Sequence, residues 1–213
     1  MSAGDSTSFS ILTVCTGNLA RSPLAAQLLA ARLRDVPAAS VSSAGTHANA
    51  GDPMTGQAAA LSRQYGGEPE GHHAVLLTSE AVQNADLVLT ATRAHRAAAV
   101  TLAPRASRYT FTLRQFAHLV DSVDVVDFRS TLAETGLNNT LAERLRAFVA
   151  AAAAHRGFIM PAAKPADDDI EDPYQQSQSV YNHVGAQIDS AVAVIAEAFV
   201  SLTEPLGRDA RGA

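Results

Sequence analysis

An apolar run, Phe9 to Val14, leads straight into Cys15-Thr16-Gly17-Asn18-Leu19-Ala20-Arg21-Ser22-Pro23 and then into an alanine- and leucine-rich stretch. This order constrains the fold more than any other feature of the chain. A buried strand that turns within a few residues into a helix is the opening of a parallel α/β unit. Ser22 suits a helix N-cap and Pro23 the first helical position, where a missing N–H costs nothing. A helix of about Pro23 to Arg34 is expected. A loop between a strand and a helix N-terminus offers backbone N–H groups and the positive end of a dipole to an anion. Arg21 adds a guanidinium that grips two oxygens in one plane. The only cysteine in the chain lies at the floor of that loop. A bare Cys-x5-Arg is more often an inert thiol beside an ordinary loop. With strand, Gly-Asn turn, Arg-Ser-Pro and helix in order, residues Thr16 to Ser22 read as a cradle for a tetrahedral oxyanion such as phosphate. Amides, dipole, the Ser22 hydroxyl and Arg21 all favour a thiolate at Cys15 over the thiol.

The segment CTGNLARSPLAAQ resembles the phosphate loop of low-molecular-weight protein tyrosine phosphatases, Cys-x-Gly-Asn-x-x-Arg-Ser-Pro near the N-terminus. Larger tyrosine phosphatases carry a His before the Cys and place the motif late, whereas Val14 precedes Cys15 here. The resemblance implies Cys15 as nucleophile and Arg21 as the oxyanion clamp. It resumes at Asp172-Pro173-Tyr174, where the family places its general acid. A departing phenolate needs a proton and the later water needs a base, and one carboxyl serves both in turn. Tyr174 would line the mouth, where a phenol ring stacks. Asn18, Ser43 and His72 match positions where the family holds the loop by hydrogen bonds. His73 adjoins His72, so which of them faces the loop is open. The run Asp167-Asp168-Asp169 reads as solvated.

Further strands are expected at Val41 to Ala44, Asp86 to Thr90 and Arg108 to Phe111, with helices near Gly56 to Tyr65, Ala81 to Asn84 (Thr78 as cap), Arg93 to Val100 and Val180 to Ser201. Alternating strands and helices predict a four-stranded parallel sheet with helices on both faces and the site at strand C-terminal ends. One phosphatase-like domain spanning 1–213 is expected, with a flexible tail at 1–8. Residues 120–165 depart from the resemblance and read as a helical insertion, a flap containing a helix near Leu141 to Ala154. Other departures are Ala20, where many relatives carry a second cysteine, Val75 in place of a frequent Arg, Ala91 in place of a frequent Met, and no Trp in Thr46-His47-Ala48-Asn49.

A net charge of −5 without any Lys/Arg block argues against nucleic acid as a partner. One cysteine rules out an internal disulfide framework and suits a reducing compartment. The alanine run Ala147 to Ala154 is too short to span a bilayer, and MSAGDSTS carries no signal pattern. The expectation is a cytoplasmic phosphatase acting on phosphotyrosine in proteins, with no metal, cofactor or membrane partner. A protein-arginine phosphatase is the nearest alternative, though Leu19 stands where that branch tends to carry Thr. A thiol-coupled arsenate reductase would need further cysteines. A non-catalytic phosphate-binding module would not require Asp172.

Overall fold

A computed structural model describes residues 7–134, 140–157 and 164–204. Residues 1–6 of the expected tail, and part of the expected insertion, lie outside them. The elements run β1 (Phe9–Cys15), α1 (Arg21–Arg32), β2 (Ala39–Gly45), α2 (Gly56–Gln64), α3 (Ser79–Gln83), β3 (Leu87–Thr90), α4 (Arg93–Leu102), β4 (Thr110–Thr112), α5 (Leu113–Asp121), α6 (Val125–Glu134), α7 (Leu141–Ala154) and α8 (Gln178–Ser201). The strands form one sheet in the order β2-β1-β3-β4, with every neighbouring pair parallel.

Side-chain alternation along a strand splits the core between the two faces. Phe9, Ile11, Leu87 and Leu89 join one cluster with α1, α5, α7 and α8, while Leu12, Val14 and Val88 join another with Val82 and Ala99 of α3 and α4. Edge strand β2 leaves Ser40 and Ser42 exposed. Thr55, Thr78, Thr92 and Thr112 each adopt an extended backbone and accept from an amide three residues on, starting α2, α3, α4 and α5.

Three expectations need correction. Helix α1 starts at Arg21 and its N-cap is Ala20, without a side-chain bond; the Ser22 hydroxyl is spent elsewhere, as described below. Strand β4 starts at Thr110, because Pro104–Arg108 forms a 3-10 turn whose Ala106 carbonyl takes the Tyr109 N–H. Helix α7 is no flap. Ala142, Leu145, Phe148, Val149 and Ala152 recur at helical spacing and are buried. The Phe148 ring meets Phe199 of α8 edge-on at 6.2 Å and Phe128 of α6 at 5.2 Å. Helix α8 is long and apolar enough to cross a membrane, but its stripe Tyr181, Val184, Ile188, Val192, Ile195 and Phe199 is buried in the core against α1, α2 and α5.

Candidate active site

Cys15 ends the central strand β1, and the loop that follows returns to it through Ser22. The Ser22 Oγ lies 3.0 Å from Cys15 Sγ. Asn18 Nδ2 donates to Ser22 Oγ at 2.9 Å, so the hydroxyl keeps its own proton to offer to sulfur or to the Ala44 carbonyl, 3.3 Å away. Thr13 Oγ1 donates to the Ser22 carbonyl at 2.8 Å and ties the helix start to the strand. Carbonyls of the loop are occupied: Cys15 O by Thr46 N–H, Thr16 O by His47 N–H, Leu19 O by Thr55 N–H and Ala20 O by Leu24 N–H. Among the described residues, no hydrogen bond takes the backbone N–H of Thr16, Gly17, Asn18, Leu19 or Ala20. Unpaired amides beside a helix N-terminus form a nest for an anion.

The loop holds its shape by unusual backbone and close packing. Asn18 has φ 57°, a left-handed conformation that Asn tolerates better than most residues. Its side chain is fully used: Nδ2 donates to Ser22 and Ser43, and Oδ1 accepts the Val75 N–H at 2.9 Å. His72 Nε2 stands 2.8 Å from the Asn18 carbonyl, and since a carbonyl only accepts, Nε2 carries the proton. His72 is therefore the imidazole that meets the loop; His73 is exposed and lies near Gly51 O at 3.4 Å. Burial pushes the His72 pKa down, outweighing the carbonyl's pull the other way. Gly45 of β2 lies against the loop's backbone. A Cβ there would stand 2.5 Å from Thr16 O and 2.8 Å from Asn18 N, so the position admits only glycine without moving the loop.

Arg21 is 4% exposed and reaches across to the segment that precedes α8. Its Nη1 donates to Ile170 O at 3.0 Å and its Nη2 to Asp172 Oδ2 at 2.5 Å and Thr16 Oγ1 at 3.3 Å, while Nε is buried with no partner among the described residues. Ile170 is buried, and its N–H pairs with Ala91 O at the end of β3. Asp169 is not simply solvated. Its Oδ1 accepts the Arg93 N–H at 2.7 Å, capping α4, and its Oδ2 pairs with Arg93 Nη2 at 3.0 Å. These bonds clamp the segment that presents Asp172 to Arg21. Oδ1 of Asp172 accepts the Tyr174 N–H at 3.2 Å, and Tyr174 itself is exposed.

The structure thus brings together Cys15, Thr16 to Ser22, Ser43, His72 and Asp172. It adds His95, which the sequence reading passed over. His95 is buried in the first turn of α4, with Nε2 2.9 Å from Thr16 Oγ1. Burial, and then the neighbouring Arg21 charge, push its pKa down to about 4. The sequence signal for it is faint: a His three residues after a capping Thr, just beyond the apolar strand Leu87–Thr90.

Comparison with known proteins is consistent in kind. The family model for low molecular weight phosphotyrosine protein phosphatase matches residues 10–143, a span that holds Cys15, Arg21, Ser43, His72 and His95 and stops short of Asp172. The chain is 38% identical over 107 residues to the low molecular weight protein-tyrosine-phosphatase Etp of Escherichia coli K12, covering 50% of this chain and 70% of that one. It is 37% identical over 119 residues to a protein-arginine-phosphatase of Geobacillus stearothermophilus, covering 56% of this chain and 78% of that one. Among solved structures, the YwlE arginine phosphatase from Geobacillus stearothermophilus superposes with a TM-score of 0.62 at 26% identity, over 91% of this chain and 94% of that one.

Proposed function

Since the chain belongs to the low molecular weight phosphotyrosine protein phosphatase family, we propose that it hydrolyses phosphotyrosine in proteins through a phosphocysteine intermediate at Cys15. The observation that carries this reading is the donor set around the sulfur. Among the described residues, the N–H groups of Thr16 to Ala20 and the buried Nε of Arg21 have no partner, while the carbonyls of Cys15, Thr16, Asn18, Leu19 and Ala20 are held elsewhere. Such a site matches three equatorial oxygens of a phosphoryl group.

The steps balance with the residues at hand. The Cys15 thiolate attacks phosphorus, the S–P bond forms and the P–O bond to the phenol breaks. Asp172, protonated, gives its proton to the departing oxygen. Its carboxylate then takes a proton from water as the water oxygen bonds to phosphorus and the S–P bond breaks, which releases phosphate and restores the thiolate. The Ser22 hydroxyl, 3.0 Å from Sγ, stabilises the thiolate as it leaves. Arg21 must pass from Asp172 to the phosphoryl oxygens as substrate enters, which frees the carboxyl to act as acid.

A protein-arginine phosphatase is the second reading, favoured by the relatives that carry that name. Leu19, half-buried in the loop, offers an apolar surface that suits a flat ring better than a guanidinium. Activity on phosphotyrosine and phosphoarginine peptides side by side separates the two readings. Cys15→Ser tests the shared chemistry: it should abolish p-nitrophenyl phosphate hydrolysis, and a variant with the parent rate would remove Cys15 from the mechanism.

A further inference from the structure

One buried imidazole at the site has both ring nitrogens engaged and no part in the steps above. His95 Nε2 lies 2.9 Å from Thr16 Oγ1 and Nδ1 lies 2.8 Å from Thr92 Oγ1. Thr92 Oγ1 also accepts the His95 N–H at 3.3 Å, and Thr16 Oγ1 accepts Arg21 Nη2 at 3.3 Å. A continuous route of hydrogen bonds therefore runs from the start of α4 into the guanidinium that faces the oxyanion.

The protons can be counted. Each threonine oxygen already accepts one N–H and keeps one hydroxyl proton to give. A neutral imidazole donates at one nitrogen and accepts at the other, so in either tautomer it serves both threonines. A protonated ring would donate at both and set a second cation beside Arg21. The charged or titratable groups that face it are Arg21 of the loop, Asp169 and Asp172 of the acid segment, and His47 after β2. Burial and Arg21 outweigh the two carboxylates, so the ring stays neutral above about pH 4.

We propose that His95 is a positioning residue of the phosphate site: as a neutral imidazole it pins the Thr16 hydroxyl, and through it the Nη2 edge of Arg21, to the N-terminus of α4. Arg21 otherwise relies at Nη2 on Asp172, the partner it surrenders when the phosphoryl group arrives. Thr16 is the contact that persists, and His95 fixes it. The inference rests on the oxyanion reading of the loop and adds a residue to it.

Two amide side chains divide the imidazole's work. Gln reaches the place of Nε2, near Thr16; Asn reaches only that of Nδ1, near Thr92. His95→Gln should keep kcat/KM on p-nitrophenyl phosphate and affinity for inorganic phosphate within about three-fold of the parent. His95→Asn and His95→Leu should each lose about ten-fold in both, the worth of one to two hydrogen bonds. Thermal melting of all three gives the folded fraction. Equal performance of Asn and Gln, or losses no larger than the unfolded fraction, would overturn the proposal in favour of simple capping or packing. Nitrogen NMR of the parent protein supplies a readout without any variant. The ring should be neutral at pH 6 and its shifts should move on titration with phosphate; a protonated or unresponsive ring overturns the proposal. If the parent binds phosphate yet hydrolyses no phosphomonoester, the phosphatase reading falls, and phosphate affinity across the variants still decides the role of His95.

Discussion

Arg21 has five N–H groups, and the described residues engage its two terminal nitrogens while leaving Nε open. Ile170 O holds Nη1, Asp172 and Thr16 share Nη2, and Nε has no partner among the described residues. A phosphate dianion therefore competes with Asp172 for the same edge of the guanidinium. The carboxyl's side chain is 48% exposed, so water screens its pair with Arg21 and keeps the contest close. Removing its charge should move two observables in opposite directions. Asp172→Asn should tighten inhibition by inorganic phosphate a few-fold, because the competitor is gone. The same change should lower kcat for an unactivated aryl phosphate by about 10²–10⁴-fold, and far less for a leaving group that needs no proton. Steady-state kinetics on a series of aryl phosphates checks both. Equal losses along the series would mean that Asp172 only braces Arg21. Gly45 shows the opposite kind of residue, important for what it lacks, since any Cβ there meets the loop backbone at 2.5 Å.

At the scale of elements, the sequence discloses faces better than partners. The apolar run of β1 and the apolar stripe of α8 are readable because a continuous run and helical spacing report burial directly. Cys15 and Arg21 are readable because strand, loop and helix that place them are contiguous. Ser22 suits a cap by residue type, whereas the fold spends its hydroxyl on Cys15 and Asn18. Asp169 looked solvated because its partner, Arg93, lies 76 positions away. Helix α7 reads as a flap for the same reason: spacing shows that Leu145, Phe148, Val149 and Ala152 share a face but not that Phe199 of α8 and Phe128 of α6 meet it. Its place in the core has a measurable consequence. Phe148→Ala should cost about 3–5 kcal/mol of stability in denaturant unfolding, as for other buried aromatics. Activity per folded molecule should hold, because α7 meets the far end of the sheet, where Arg146 pairs with Asp86 just before β3. A loss below about 1 kcal/mol would return α7 to the status of a peripheral flap.

Across the whole molecule, the parallel sheet gathers at one end groups that are scattered along the chain. The loop after β1, the end of β2, the segment at His72, the start of α4 and the segment at Asp172 that precedes α8 all meet there. Gathering them buries one imidazole, His95, and half-buries a second, His72, and that burial makes global stability depend on pH. The pKa of His95 is about 4 in the folded protein against about 6.5 in an unfolded chain, and that of His72 is lowered as well. Between those values the unfolded state binds protons that the folded state refuses. Stability therefore rises with pH through this window; it is complete above about pH 6.5 and drains away as pH falls toward 4. The slope is at most about 1.4 kcal/mol per pH unit for each proton taken up. Burial pulls the Asp169 pKa up, but the bonds and charge of Arg93 together outweigh it and lower it, so Asp169 keeps its stabilising pair until the pH is below the ordinary Asp range. Asp168, raised by burial, acts with the opposite sign, its cost being largest once it ionises. Neither carboxyl carries the change between pH 7 and 5. Urea midpoints measured at pH 7, 6 and 5 should fall steadily in the parent protein and less steeply in His95→Gln, which has no proton to gain at that site. Parallel slopes in the two proteins would mean that another group takes up the proton, and would also contradict the neutral ring that the phosphate site requires of His95.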